Sequence, residues 1–422
     1  MGFGVWLVGF LLLHRGVLQH LPDRDPYIVP IIAMPSGLGL LTLYRLDYHF
    51  GLRQTIWLAL SITIAIAIIR YKEILNFLRR YKYIWLTGGI LLTLLTFVIG
   101  VYPGGTGPGL WLNFLGVFFQ PSELLKLLLI IFLAAYLADN IHVGFSLVQL
   151  LTPTLILIGI AFLILVVQHD LGTASLFIAI YAVTVYLALG KRRLLLFSFL
   201  AVVAALIIGY EVYSVIQIRI EAWLNPWLDA NGRSYQIVQS LIAIANGGIF
   251  GRGLGLGSPG VVPVAQSDFI FPAIFEEEGL AGAAGVILLF VFFMSRGFSI
   301  SLRSPNQFQR FLAAGLTTSV SVQAILIMGG STRLLPLTGV TLPFISYGGS
   351  SLLVSFIGAS LLLIISNRSE LHPAVLERGQ PFRMVGALFL AAFTGLLVIS
   401  TWWSVFRSNS LLARNDNPRR FI

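Results

Sequence analysis

The chain has 422 residues, 57% of them hydrophobic, and its 27 basic and 17 acidic residues make only 10% of it charged. Soluble domains carry about 25% charged residues, so an ordinary soluble enzyme and a disordered chain are excluded. Long unalternating apolar runs exclude a porin-type barrel, and the absence of cysteine excludes disulfides, thiolate nucleophiles and cysteine metal sites.

The fold class expected is an all-α polytopic membrane protein. A spanning helix needs about 20 mostly apolar residues, and twelve segments qualify: 2–19, 27–46, 53–70, 83–101, 123–140, 146–167, 171–189, 193–210, 277–295, 311–330, 349–366 and 384–402. The first is interrupted by His14 and Arg15, but it lacks the basic start of a signal peptide and reads as a span. With both termini outside, alternate loops hold 16 Lys and Arg on the inner side and 10 on the outer, with Lys126 inside a span. The inner set includes Arg70, Lys72, Arg79, Arg80 and Lys82, then Lys191, Arg192 and Arg193, then Arg368, Arg378 and Arg383. This bias makes that side cytoplasmic. The net charge of +10 then reads as membrane anchoring and calls for no nucleic acid. The longest loop, 211–276, lies outside. No internal repeat stands out, which lowers the expectation of a transporter.

Polar groups within or beside spans mark candidate sites, and four places stand out. Gln120-Pro121-Ser122-Glu123 opens a span, with Lys126 one turn on. Ser122 can cap that helix, Glu123 suits its positive end, and Glu123 and Lys126 can pair. In a second reading Lys126 faces an anionic ligand. Asp170, in Gln168-His169-Asp170, sits at a rim, where it can cap the next helix or face a polar cavity. Asp268 lies among apolar residues before Glu276-Glu277-Glu278. Those three acids suit a helix start and cannot all face one site, whereas Asp268 reads as partly desolvated, which suits a general base. The stretch 334–351, after Arg333, holds two prolines and three glycines. This is non-helical backbone near the membrane, tolerated where it is buried or lines a cavity. The glycine run 251–257 has no strand before it and no βαβ context, so it reads as a flexible loop over a cavity rather than a nucleotide site. One base and nearby cations suit glycosyl transfer from a lipid-linked donor. On these residues alone, transport stands level with it.

The motifs then carry a resemblance. QPSELLKL at 120–127, QHDLGT at 168–173, YQIVQSLIAIANGGIFGRGLG at 235–255, SDFIFPAIFEEEG at 267–279 and LPLTGVTLPFISYGGSS at 335–351 occur in the order seen in the SEDS family (shape, elongation, division and sporulation), which includes RodA and FtsW. The chain resembles that family over roughly 27–367. The resemblance implies a ten-helix core, with one extra helix at each end, that polymerises lipid II into glycan strands at the outer face of the bacterial cytoplasmic membrane. It puts the family's catalytic aspartate on Asp268 and cavity residues on Glu123, Lys126 and Asp170, with Ser350 beside them. Arg219 matches a family arginine ahead of the WLNP stretch. Lys126, Arg219 and Arg333 are the candidates for pyrophosphate contact, and a Mg or Mn ion near Asp268 is a further expectation. Two departures are visible. Many members read Pro-Glu-x-His-Thr where this chain has Pro263-Val264-Ala265-Gln266-Ser267, and His169 replaces a usual proline. The expected organisation is an extra membrane segment at 1–26, the core at 27–367, and 368–422 as a linker, the extra helix 384–402 and an outer tail. The tail, 411–420, resembles the opening of a class B penicillin-binding protein. It implies a transpeptidase partner, fused beyond this sequence. A lipid II flippase and a non-catalytic membrane scaffold for a transpeptidase are the rival readings.

Overall fold

A computed structural model describes every residue except 72, 104–107, 115, 144, 368–378 and 421–422, together with the side chain of Arg420. Lys72, Arg368, Arg378 and the 367/368 boundary of the expected core therefore fall on or against residues outside those described. The helices are α1 (Gly2–His20), α2 (Ile28–Leu46), α3 (Tyr48–Arg70), α4 (Ile74–Arg80), α5 (Lys82–Ile99), α6 (Pro121–Asn140), α7 (Leu147–Val167) and α8 (Leu171–Leu189). Then follow α9 (Arg192–Val212), α10 (Ser214–Leu224), α11 (Tyr235–Gly247), α12 (Ile270–Arg303), α13 (Gln307–Ser331), α14 (Gly349–Ser366), α15 (Gly379–Thr401) and α16 (Ser408–Leu412). Among the described residues, twelve of these are long and apolar enough to cross a membrane, and they coincide with the twelve segments read from hydropathy. Helices dominate because a backbone in hydrocarbon must satisfy its own hydrogen bonds. A short hairpin, β1 (Leu112–Phe114) with β2 (Val117–Phe119), pairs Leu112 with Phe119 and leads into α6.

Local chemistry sets the helix ends. Ser146 and Gln149 form a capping box at α7, Asp47 caps α3 and Asn306 caps α13. Gly190 ends α8 in a left-handed conformation (φ 71°), where glycine carries no Cβ penalty. The bundle has a centre and a periphery. Nearly all residues along the apolar stretches of α6 and α13 are buried, whereas almost none of α9 is, and α9 stands beside α8 and α10. α1 joins the bundle by burying Phe10, Leu13 and Val17 against α3 and α2, with His14 and Arg15 turned outward.

Two expectations need correction. The ninth span begins at Ile270, not 277. Phe269 to Phe275 are apolar and buried, Pro272 fits a first turn, and Gly279 (φ 69°, ψ −167°) breaks the helix behind the acids. The long connection between the spans α9 and α12 accordingly ends before Ile270 rather than at 276, and it carries two short helices, α10 and α11. The glycine run 251–257 docks onto α12. The amides of Arg252 and Gly253 donate to the carbonyls of Glu276 and Glu277 at 3.0 and 2.9 Å.

The starts of α6, α8, α12 and α14 and the end of α13 all fall on one face of the bundle, as alternating spans require. The opposite face carries the cluster in which Arg79 (2.6 Å) and Lys82 pair with Asp139, and the pair Arg296–Asp25.

Candidate active site at one membrane face

The polar residues on that face form a connected network. Ser122 does not cap α6. Gln120 is the N-cap residue, Pro121 takes the first position, and the Ser122 hydroxyl instead donates to Asp170 Oδ2 at 3.2 Å. Asp170 does cap α8, its Oδ1 accepting from the Thr173 amide at 3.1 Å, while Oδ2 also accepts from Gln120 Nε2 at 3.3 Å. The capping reading of Asp170 holds for Oδ1, and Oδ2 is taken up by the side chains of Ser122 and Gln120. Burial holds its carboxyl above the ordinary carboxylate range. Hydrogen bonds from Thr173 and Ser122 pull it down, and the charge of Glu123 pushes it up.

Glu123 and Lys126 do pair, at 2.6 Å, and both are buried. Lys126 also donates to Gln323 Oε1 at 2.8 Å, Gln323 Nε2 donates to the Thr341 carbonyl at 2.8 Å, and Thr341 Oγ1 meets Ser351 Oγ at 2.7 Å. Ser350 is buried and its hydroxyl accepts from the Gln120 amide at 2.8 Å, tying α14 to the start of α6. Hydropathy reading missed Gln323. It is an amide in the middle of an apolar span, and the rule that flagged Lys126 would have flagged it.

Residues 332–348 are non-helical, with 342–346 buried and most of the rest partly buried. Thr338 and Gly339 lie at the centre of the site. A Cβ on Gly172, at the start of α8, would collide with the Thr338 carbonyl, so α8 meets this stretch with backbone against backbone. Gly339 has φ 73°, and a methyl there would sit 3.6 Å from both Arg219 Nη2 and Asp268 Oδ2. Arg219 of α10 and Asp268 therefore face each other across the Gly339 backbone. Arg219 is steadied by one bond, Nη1 to the Thr338 carbonyl at 3.2 Å. Asp268 is half-buried. That burial holds its carboxyl above the ordinary range, against a hydrogen bond from Ser267 and the charge of Arg219. Burial lowers the Arg219 guanidinium, opposed by Asp268 and then Asp170.

The loop carrying Asp268 is fastened to the same stretch. The Tyr347 amide donates to the Gln266 carbonyl at 2.8 Å and Ser346 Oγ to the Ser267 carbonyl at 2.6 Å. Among the described residues, the non-glycine residues with left-handed backbone are His169, Val264, Arg333 and Phe344. They flank Asp170, the Asp268 loop and both parts of the 332–348 stretch. Each such residue costs on the order of 1 kcal/mol, so the surrounding packing overrides local preference around the site.

Arg333 stands in a different role. Its Nε and Nη2 donate to the Trp223 and Leu224 carbonyls at 2.8 and 2.6 Å, closing the C-terminal end of α10, and burial lowers its guanidinium. None of the acids of α12 lies in its first turn, and Glu276 and Glu277 both accept from the glycine loop, from the Ser258 and Gly255 amides at 3.2 Å each. Glu276 meets Asn246 and Arg419, and Glu277 meets Arg45 at 2.8 Å.

Beside Arg219 opens an apolar cavity of about 460 Å³ between α7, α8, α9 and α10, closed at one end by Pro336, Leu337 and Thr338. Val166, Ile178, Val202 and Ile216 are among its lining residues. Asp268 brings one carboxylate, and no group of three potential His, Cys, Asp or Glu ligands occurs among the described residues. The side chains present do not by themselves form a cage for a divalent cation.

Fold and site together define a polytopic membrane protein with a carboxylate and an arginine facing each other at the mouth of an apolar cavity. The chain belongs to the FtsW, RodA and SpoVE family: the family description "Cell cycle protein" matches residues 28–371. It is similar to peptidoglycan glycosyltransferase RodA of Mycobacterium tuberculosis, 33% identical over 84% of this chain and 80% of the relative. It is similar to a probable peptidoglycan glycosyltransferase FtsW of Geobacter metallireducens, 36% identical over 77% and 87% of the two chains. Stage V sporulation protein E of Bacillus subtilis is 32% identical over 83% and 98%. Among solved structures, a chain described under polymerization and crosslinking by a peptidoglycan synthase complex superposes with TM-score 0.68 and 27% identity, covering 85% of this chain and 99% of that one. The rod shape determining protein RodA of Thermus thermophilus shares the fold, with TM-score 0.62 and 24% identity over 83% and 98%.

Proposed function

We propose that this chain is a peptidoglycan glycosyltransferase that polymerises lipid II, with Asp268 as general base. The observation that carries the reading is the Asp268–Arg219 pair facing across Gly339 beside the apolar cavity. Asp268 takes the proton of the acceptor sugar hydroxyl. That oxygen attacks the anomeric carbon of the donor, the bond to the pyrophosphate oxygen breaks, and undecaprenyl pyrophosphate leaves with its electron pair. Burial suits Asp268 to this work, because a base is most effective when its pKa approaches the working pH. Arg219 faces the charge that develops on the leaving group. Lys126 is already neutralised by Glu123, and Arg333 is spent on α10, so Arg219 is the best placed of the three cations considered. The cavity accommodates part of the isoprenoid chain. A Mg or Mn ion here would draw most of its ligands from substrate phosphates and water, and no step above is routed through it.

The basic bias of the opposite face supports insertion in the bacterial cytoplasmic membrane with the site outward. The segment after α15 supports a class B penicillin-binding protein as partner, fused beyond this chain. A natural reading frame that stops at Ile422 would sink the fusion. The reaction is tested with lipid II and the chain in lipid nanodiscs. Asp268→Asn and Asp268→Ala should lose about 10²–10⁴-fold in rate while remaining folded. Polymerisation at the parental rate by both would remove Asp268 as base, and lipid II translocation without polymer would favour a flippase.

A further inference from the structure

The reaction proposed above makes no use of a second network, centred on Glu276. This carboxylate is fully buried, and its partner Arg419 is 5% exposed. Arg419 comes 143 residues later, from the segment beyond the last span. The pair is bidentate, Nε to Oε1 at 2.8 Å and Nη2 to Oε2 at 2.9 Å. The same guanidinium donates to Gln239 of α11 at 3.1 Å and to the Ser258 carbonyl at 3.4 Å. Glu276 in turn accepts from the Ser258 amide at 3.2 Å and from Asn246 at 2.8 Å. One ion pair thus joins α11, the glycine loop and the tail.

The tail is held at other points too. Gln239 donates to the Asp416 carbonyl at 2.9 Å, Ser408 to the Ala245 carbonyl at 3.0 Å, and Arg414 lies 4.2 Å from the centre of the Trp227 ring. The glycine loop leads directly through 259–267 to Asp268. A loop with three left-handed glycines, Gly251, Gly253 and Gly255, has little conformational preference of its own. What fixes it must come from outside, and a planar two-bond fork fixes position better than a point charge. A buried ion pair adds little net stability after desolvation, so its presence here fits a role in selecting one arrangement.

We propose that Arg419 is a positioning residue, which through Glu276 locks the 251–269 segment and so sets Asp268 against Arg219. The inference rests on Asp268 being the base. It is tested on the full chain in nanodiscs with Arg419→Ala, Arg419→Lys, Glu276→Ala and the double variant. Two things are read: amide exchange over 251–269, and kcat and KM for polymerisation of lipid II. Arg419→Ala should speed exchange in 251–269 and leave α6 and α13 protected. Its kcat should fall at least tenfold, with KM within twofold. Arg419→Lys, which keeps the charge and loses the fork, should recover part of kcat. The double variant should lose less than the two single losses combined. Unchanged exchange in 251–269, unchanged kcat, or independent losses would each overturn the proposal. If Arg419→Ala does not survive purification, Arg419→Lys carries the same readouts. A parent chain that makes no polymer would overturn the proposed reaction and the catalytic purpose of the lock together. The exchange data would still decide by themselves whether Arg419 orders the loop.

Discussion

Arg219 offers the sharpest test of the site, because it should act on both the rate and the proton of the base. Its Nη1 is engaged by the Thr338 carbonyl at 3.2 Å, while Nη2 faces the gap at Gly339 opposite Asp268. Arg219→Gln removes the charge and keeps an amide donor. Loss of one preorganised donor to developing charge costs about 10²–10³-fold in kcat, or ~3–4 kcal/mol. The second effect has a definite sign. Burial holds the Asp268 carboxyl high and Arg219 pulls it down, so without Arg219 the carboxyl keeps its proton to higher pH. The acid limb of the kcat/KM profile, which requires ionised Asp268, should therefore move to higher pH. Stability should follow the same linkage. A carboxyl raised above its unfolded value binds its proton more tightly in the native state, so folding weakens as pH climbs from the ordinary carboxylate value to the raised one. Arg219→Gln widens that window. The assay is single-turnover polymerisation of lipid II across pH, with thermal unfolding in the same buffers. An acid limb that stays put or moves down would refute the electrostatic pairing of Arg219 with Asp268. A kcat loss below tenfold would refute its role toward the leaving group.

Two further outcomes are expected. Glu123→Gln and Lys126→Met should each lower stability by about 3–5 kcal/mol, since each leaves an uncompensated buried charge. The double variant should lose far less, as read by thermal unfolding in detergent, and simple additivity would show that the 2.6 Å pair is not coupled. Ala205→Trp, on the α9 wall of the apolar cavity, should raise KM for donors with long prenyl tails and spare short-tailed ones. Each methylene excluded from an apolar site costs ~0.8 kcal/mol. Equal effects on both donors would mean that the tail lies elsewhere.

The membrane helices were legible because hydropathy over a span is a local property, and all twelve segments recur. The site was legible in part. Asp268, Asp170, Glu123 and Lys126 stood out as ionisable groups in apolar surroundings, and a charge at that depth needs a partner. What escaped depended on tertiary approach. Ser122 has the residue type of a cap, yet Pro121 already begins the helix and Asp170 sits within reach of the hydroxyl. Arg333 and Arg219 look alike in sequence, and only the position of α10's last carbonyls separates the guanidinium that closes a helix from the one that faces Asp268. The early start of α12 was hidden because Glu276-Glu277-Glu278 have the residue type of a helix start, yet they stand inside the helix with Gly279 breaking it behind them. Nothing local in the tail marks Arg419, whose partner lies 143 residues away.

The proposed choice of Asp268 as base over its two buried neighbours rests on what each carboxylate already does. Glu123 stands in the first turn of α6, where the helix field favours an anion, and its charge is met by Lys126 at 2.6 Å. Asp170 divides its oxygens between the α8 amide of Thr173 and the side chains of Ser122 and Gln120. Taking up a proton would cost either of them an arrangement that holds helix starts in place. Asp268 precedes α12 by two residues and caps nothing, since the N-cap residue there is Phe269 and makes no side-chain bond. Its loop is held through the backbone, by Tyr347 and Ser346, so the carboxyl can gain and lose a proton while its position stays fixed. A general base needs that separation of duties, and of the three carboxylates Asp268 is the one that has it.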